Sequence, residues 1–344
     1  MILIKDLNEY NTINYFFLFL NSSYNIIFLK FNNLDNPILV TGGAGFIGSN
    51  LVRYFVKKKK KVYLILKKSS NTWRINDIIN ELDISFSDLN NKKKLKTIIK
   101  RIKPKTIFHL STNGSYPDQN NLHKIKQSNL DSTINLINEC KKYGFRSFIN
   151  TGSSSEYGFK NKSMKETDVL VPNSYYSVFK SASTLFCQYE SINNDLPITT
   201  VRPFHVYGPF ERETRLIPTL IHNMINEKKI NLVSPKISRD LVYVDDAVDF
   251  LIKISKKNKL RGEILNLGSG KKTTIYEIYN ILKKISGYKL NNVWGSMKNR
   301  IWDQEQWYAD MNIVNKKLNW KTKTTIIEGL RKTYKWNKKY YYEY

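Results

Sequence analysis

The stretch from Ile38 to Gly48 constrains this chain more than any other. A short apolar run, Ile38-Leu39-Val40, leads into Thr41-Gly42-Gly43-Ala44-Gly45-Phe46-Ile47-Gly48, and a helical pattern follows from about Phe46 to Val56. Gly42, Gly45 and Gly48 stand at G-x-x-G-x-x-G spacing. A strand that turns on glycines into a helix lets a pyrophosphate approach bare backbone, and the helix start presents free N–H groups and the positive end of its dipole. A Gly triplet alone is a weak signal, but between a strand and a helix it is a strong one. Gly42, Gly45, Phe46, Ile47 and Gly48 are therefore expected to bind a dinucleotide.

The alternation then continues. Lys57 to Lys61 close the first helix, where cations suit the dipole, and Val62 to Leu66 reads as a second strand. Ile84–Phe86, Thr106–Leu110, Ser147–Asn150 and Ile198–Val201 read as further strands. Lys94–Ile102, Ile125–Tyr143 and Tyr176–Asn193 read as helices. Strands alternating with helices predict an α/β chain, a doubly wound parallel-sheet Rossmann fold. After Arg202 the rhythm breaks into shorter elements, which predicts a smaller C-terminal substrate-binding lobe. The expected division is an extension over 1–36 and a nucleotide-binding domain over 37–204 with a returning segment near 240–255. The lobe takes 205–239 and 256–336, and 337–344 form a tail.

Composition excludes several classes. The 344 residues are 41% hydrophobic, enough for a sizeable core. Two cysteines far apart and four histidines, none at zinc-site spacing, give neither a disulfide framework nor a metal site, so no metal is expected. The net charge of +27 comes from lysines spread along the whole chain. That spread reads as a solvated surface with some attraction for a diphosphate. A non-catalytic, polyanion-binding (RNA-binding) relative of the same fold is the non-enzyme alternative. Phe16–Leu20 and Ile26–Phe31 are apolar patches split by polar residues, too short for a membrane span or a signal peptide. A cytoplasmic location without membrane insertion is expected; a tether through 16–31 is the competing idea.

The second strand ends in Leu66-Lys67-Lys68-Ser69-Ser70-Asn71, without the acid that meets a ribose 2′-hydroxyl in NAD enzymes. Lys67 and Ser69 suit a 2′-phosphate, so NADP is favoured and NAD is the alternative.

Tyr176 and Lys180 stand four apart at the start of a predicted helix and share a face. A neighbouring ammonium favours phenolate, which lets a tyrosine exchange a proton with a sugar hydroxyl. The strand at Phe148–Asn150 runs into Thr151-Gly152-Ser153-Ser154-Ser155-Glu156-Tyr157-Gly158, and a hydroxyl there can hold the same oxygen. In this order the turn, the Ser-rich loop and the Tyr/Lys helix resemble an extended short-chain dehydrogenase/reductase, the NAD(P)-dependent sugar-nucleotide epimerase/dehydratase family. The resemblance runs from about Ile38 to about Trp336.

The resemblance implies further roles. Ser153 takes the catalytic Ser/Thr position beside Tyr176 and Lys180, with Ser154 next to it. Asp88 and Leu89 resemble the pair beside the adenine, Leu110, Ser111 and Thr112 the strand-end cofactor contact, and Asn129 the family's helix Asn. The segment from Arg202 and Pro203 to Pro209 resembles the one that passes the nicotinamide. Arg239 resembles a diphosphate ligand. Arg300 and Asp303 resemble the C-terminal signature that meets phosphate and ribose, and Arg215 the loop near the nucleobase. Asp245 and Asp246 are expected to cap and orient the next helix. The implied partners are a nucleotide-sugar substrate and a second copy in a homodimer. The dimer would form through helices near 125–143 and 176–193, with Leu130, Ile134, Leu136, Ile137, Phe179 and Phe186 including candidates for that surface, or else belonging to the core. Family dehydratases carry acids just after the catalytic Ser/Thr; Ser154 and Ser155 stand there, and Glu156 falls too late. The expected reaction is 4-epimerisation or 4-keto reduction, with 4,6-dehydration the alternative.

Overall fold

The computed structural model describes residues 36–257, 259–290, 292–297 and 303–340. Residues 1–35 of the extension expected over 1–36, including the possible tether at 16–31, lie outside the described residues, as does Arg300. In chain order the first half runs β1 (Ile38–Thr41), α1 (Phe46–Lys57), β2 (Val62–Leu66), a 3-10 segment (Trp73–Glu81), β3 (Asp83–Phe86), α2 (Lys92–Ile102), β4 (Thr106–His109), α3 (Leu122–Lys126), α4 (Ser132–Cys140), β5 (Ser147–Thr151) and α5 (Tyr175–Asn193). The second half runs β6 (Ile198–Pro203), β7 (His205–Tyr207), α6 (Leu216–Ile225), β8 (Ser238–Arg239), β9 (Leu241–Tyr243), α7 (Val244–Ser255), β10 (Ile264–Leu267), β11 (Thr273–Thr274), α8 (Ile275–Ser286), α9 (Asn312–Leu318) and α10 (Ile326–Tyr340).

Seven strands form one parallel sheet in the order β10-β6-β5-β4-β1-β2-β3. This is the doubly wound architecture expected from the alternation. β1, β4 and β5 are buried along almost their whole length because both faces of the sheet are covered. One apolar cluster (Leu51, Val52, Phe55, Phe108, Phe250) packs α1 and α7 on one face. A second (Leu95, Ile99, Leu136, Phe148, Cys187) packs α2, α4 and α5 on the other. A third, around Ile217, Ile221, Ile278 and Leu330, forms the core under α6, α8 and α10.

Two local expectations need correction. The helix expected over Ile125–Tyr143 is interrupted by a π-turn at Gln127–Asp131. The segment Ile264–Leu267, assigned from its position to the smaller lobe, is an edge strand of the main sheet, paired with Thr200–Pro203. Among the described residues no helix is long and apolar enough to cross a membrane.

Candidate active site

The sheet register builds the site. Thr41 pairs with His109, and His109 with Asn150, so β1, β4 and β5 end at one level. The segments that follow them, Gly42–Gly48, Leu110–Thr112 and Thr151–Ser155, therefore open along the same carboxyl edge, where folds of this type bind ligands. Gly42 has φ +70, and a Cβ there would lie 2.6 Å from the Leu110 carbonyl carbon; one on Gly48 would lie 2.1 Å from the Gly42 oxygen. The turn closes only with bare backbone, and α1 begins at once behind it, a cradle that fits a dinucleotide pyrophosphate. Phe46 and Ile47 form the first turn of α1, half-buried against the core.

Ser174 caps α5 through a reciprocal pair with Ser177, which sets Tyr176 in the first turn. The half-buried Tyr176 phenol lies near the Ser153 and Thr112 hydroxyls. Burial raises its pKa, while those hydroxyls and the charge of Arg215 oppose the rise. Lys180 is buried, and its Nζ donates to the Thr151 carbonyl at 2.7 Å. Burial lowers the ammonium pKa to about 8, opposed by the Glu156 carboxylate. Thus the groups that lower the Tyr176 pKa are the two hydroxyls and Arg215, whereas Lys180 is fixed by the end of β5.

Ser153 caps the short turn Ser154–Tyr157, and Ser154 is buried beside it. The Ser153 N–H donates to Glu156 Oε1 at 2.7 Å, and Arg202 Nε donates to Glu156 Oε2 at 2.8 Å. Both partners of that ion pair are at most 1% exposed. Arg202 also lies over the Tyr157 ring, 4.7 Å from its centroid. Glu156 thus faces the interior, and no acidic side chain follows Ser153 toward Tyr176.

Asn129 sits in the π-turn, a feature that often marks functional positions. Its Oδ1 accepts from Thr112 Oγ1 at 2.8 Å and from the Asn113 N–H; its Nδ2 donates to the Asn113 and Ile125 carbonyls. It thereby fixes the loop that carries Leu110, Ser111 and Thr112. His109, unmarked by any motif, hydrogen-bonds Thr41 at 2.7 Å and Thr133 at 2.9 Å. Burial pushes it down to about 3 and keeps it neutral. A histidine closing an otherwise apolar strand was the available signal.

On the adenine side, Leu89 is buried and Asp88 forms an ion pair with Lys67 at 2.9 Å. Burial would raise the Asp88 pKa; the Asn90 N–H and Lys67 bring it below its ordinary value. Ser69 is exposed. Pro203 ends β6 beside β10.

On the substrate side, Arg239 donates to Asp303 at 2.5 Å, so two residues expected to meet different parts of a ligand meet each other. Arg215 stacks on Tyr116 (5.1 Å to the centroid), as Arg212 does at 4.5 Å. Asp245 and Asp246 lie in the first turn of α7, but no side chain caps that helix. Asp246 instead accepts the Thr324 N–H at 3.0 Å, tying α7 to the segment before α10.

The sequence model of the NAD dependent epimerase/dehydratase family matches residues 38–268. The chain belongs to that family. It is 30% identical to a UDP-glucuronate 4-epimerase of Thermodesulfobacterium geofontis, over 87% of this chain and 95% of that one. It is 25% identical to a dTDP-glucose 4,6-dehydratase of Haemophilus influenzae, over 87% of this chain and 97% of that one. The solved UDP-glucuronic acid 4-epimerase of Bacillus cereus, in complex with UDP-glucuronic acid and NAD, superposes with a TM-score of 0.78 at 26% identity, covering 88% of this chain and 99% of that one. Both reactions named in the family description thus occur among the relatives of this epimerase/dehydratase family member.

Proposed function

We propose that the chain is an NAD-dependent nucleotide-sugar 4-epimerase with Tyr176 as its acid/base. The observation that carries this reading is the placing of the Tyr176 phenol near the Ser153 and Thr112 hydroxyls, together with the withdrawal of Glu156 into its pair with Arg202. Tyr176 takes the proton of a sugar hydroxyl and returns it, and Ser153 holds the same oxygen. Lys180, locked on Thr151, keeps a positive charge one helical turn along the same face. Gly42–Gly48, Asp88, Leu89, Leu110–Thr112 and Lys180 would hold the cofactor, and Arg215, Arg239 and Asp303 the nucleotide sugar. When bound, NAD supplies the hydride acceptor. Elimination of water would need an acid after Ser153, and Ser154 and Ser155 offer none.

The cofactor preference shifts from NADP to NAD on one observation. The Lys67 ammonium is already partnered by Asp88, so a 2′-phosphate would have to displace that carboxylate. A second copy is expected on α5, where Tyr175, Val178, Leu185, Tyr189 and Ile192 form an exposed stripe. Of the residues named for surface or core, Leu136 and Ile137 are core, and Phe179 and Phe186 are half-buried.

The test is incubation with UDP-, dTDP-, GDP- and CDP-sugars, following product and nicotinamide absorbance. Epimerisation gives an isomer of unchanged mass with no net absorbance change. A product lighter by one water means dehydration, and stoichiometric oxidation of added NADH or NADPH means keto reduction; either outcome sinks the epimerase reading. Tyr176→Phe is expected to lose at least a hundredfold in kcat while cofactor affinity is kept. Michaelis constants for NAD and NADP read the cofactor preference. Salt-dependent RNA binding without cofactor binding would support the non-enzyme alternative.

A further inference from the structure

β1 and β4 are neighbours in the sheet, and the chain leaves them toward opposite faces. α1 packs with the cluster around Phe55 and Phe108, whereas α4, beyond β4, packs with the one around Leu95 and Phe148. Neighbouring strands whose loops part in this way open a crevice between them, and there such sheets hold a dinucleotide. The segment Gly208–Arg215, which follows β7, is bonded to both walls of this crevice.

On the α1 wall, Asn50 stands one turn beyond Phe46 and donates to the Pro209 carbonyl at 3.1 Å. Arg74 Nε donates to the Phe210 carbonyl at 2.7 Å. The Arg53 guanidinium lies 4.3 Å from the Phe210 ring centroid, and the Trp336 ring 4.9 Å from it. Phe210 has φ +70, a conformation that a bulky residue keeps only where its surroundings impose it. These contacts impose it here. On the β4 wall, the Arg212 guanidinium donates to both carboxylate oxygens of Asp118, each at 3.1 Å. It also stacks on Tyr116. Tyr116 and Asp118 belong to the loop that begins at Leu110–Thr112, which Asn129 fixes. Only Glu211 stands between the clamped Phe210 and Arg212, so the crossing is short.

The two attachments differ in kind. The α1 end is half-buried and holds backbone carbonyls. The β4 end rests on an ion pair whose side chains are 35% and 59% exposed. An exposed pair gives way at little cost, so that end is the one that opens.

We propose that Gly208–Arg215 is a strap closed over the dinucleotide, and that Arg212 with Asp118 is its latch, which parts before the cofactor leaves. The inference rests on the NAD-dependent reading and adds to it the residue pair that sets how long the cofactor stays. An epimerase returns its hydride within the same turnover, so slow cofactor release does not limit it; a reductase must exchange its cofactor every turn.

The probe is NADH. Wild type, Asp118→Asn, Arg212→Gln and the double variant are loaded with NADH and chased with excess NAD in a stopped-flow fluorimeter, with thermal melts to verify folding. Asp118→Asn loses an exposed ion pair and should release NADH about fivefold faster. Arg212→Gln loses the Tyr116 ring as well and should release it about tenfold faster or more. The double variant should release it no faster than Arg212→Gln. High salt should speed release from wild type toward the Asp118→Asn rate and leave that variant nearly unchanged. Asp195→Asn breaks another exposed pair, with Arg261 near the amino end of β6, and should release NADH at the wild-type rate. Release from folded Asp118→Asn at the wild-type rate overturns the latch, as does additive acceleration in the double variant or equal acceleration by Asp195→Asn. If wild type binds neither NADH nor NAD, the NAD-dependent reading itself has failed; tight binding that these variants leave untouched sinks only the latch.

Discussion

The Glu156–Arg202 pair gives a prediction whose size follows from burial. Both side chains are at most 1% exposed, so neither charge can turn to water when its partner is removed. Breaking a pair of this kind costs about 3–5 kcal/mol, because one buried charge is left uncompensated. Arg202→Met strips Glu156 of its cation. Glu156→Gln strips Arg202 of its anion while an amide oxygen can still accept the Ser153 N–H. Each single variant should lose about 3–5 kcal/mol in urea unfolding, with a fall in melting temperature of roughly 6–10 °C at ~2 °C per kcal/mol. The double variant Glu156→Gln/Arg202→Met carries no buried charge there and should recover at least ~2 kcal/mol relative to the sum of the singles. Glu156→Ala also frees Ser153, so its kcat should fall further than that of Glu156→Gln. Additive losses in the cycle, or a single-variant loss below about 1 kcal/mol, would falsify the view that this pair is a coupled buried unit holding the serine loop.

Three further outcomes are expected. In the unfolded chain Glu211 titrates near 4.5, whereas burial raises it to about 8 in the folded one. The folded state therefore binds more protons between those values, and stability should fall as pH rises from about 4.5 to about 8, by at most ~1.4 kcal/mol per pH unit. Glu211→Gln should flatten that slope in urea midpoints; parallel slopes for both proteins would contradict the buried-acid assignment. Gly48→Ala places a methyl 2.1 Å from the Gly42 carbonyl; NAD affinity read by fluorescence titration should drop at least tenfold, and unchanged binding would remove the turn from the cofactor site. Leu185→Asp with Ile192→Asp puts two charges on the exposed α5 stripe. Sedimentation should then show a monomer where the wild type is a dimer, and a persistent dimer would place the interface elsewhere.

The parallel sheet was legible because short stretches holding two or more apolar residues, from Ile38–Thr41 to Ile198–Pro203, alternate with helices that carry a one-sided pattern. The break of the helix at Gln127–Asp131 was not legible, since a π-turn adds one residue without changing composition. The 3-10 segment Trp73–Glu81 was missed although Ile75, Ile78 and Leu82 lie at one-sided spacing and pack on the first cluster; only Ile75 is fully buried. The spacing of Tyr176 and Lys180 correctly put both on α5, but the environment of each needed coordinates. Periodicity does not reveal that Lys180 donates to Thr151 or that Thr112 approaches the phenol.

The residues that sequence left unread share one property: each is a polar group buried against a partner far along the chain. Glu156 meets Arg202 across 46 residues, and His109 meets Thr41 across 68. Apolar patterning reports which residues leave water, not which polar groups follow them inside, because that depends on strand order and register. Burying a polar group without a partner is costly, so such positions are under tight physical control. In this chain the sheet edge shared by β1, β4 and β5 carries the glycine turn and the Ser153 loop, and its elements are local in sequence. The long-range buried pair of Glu156 and Arg202 holds the Ser153 loop from behind. An acid one place beyond Ser155 is thereby converted from a candidate proton donor into an anchor.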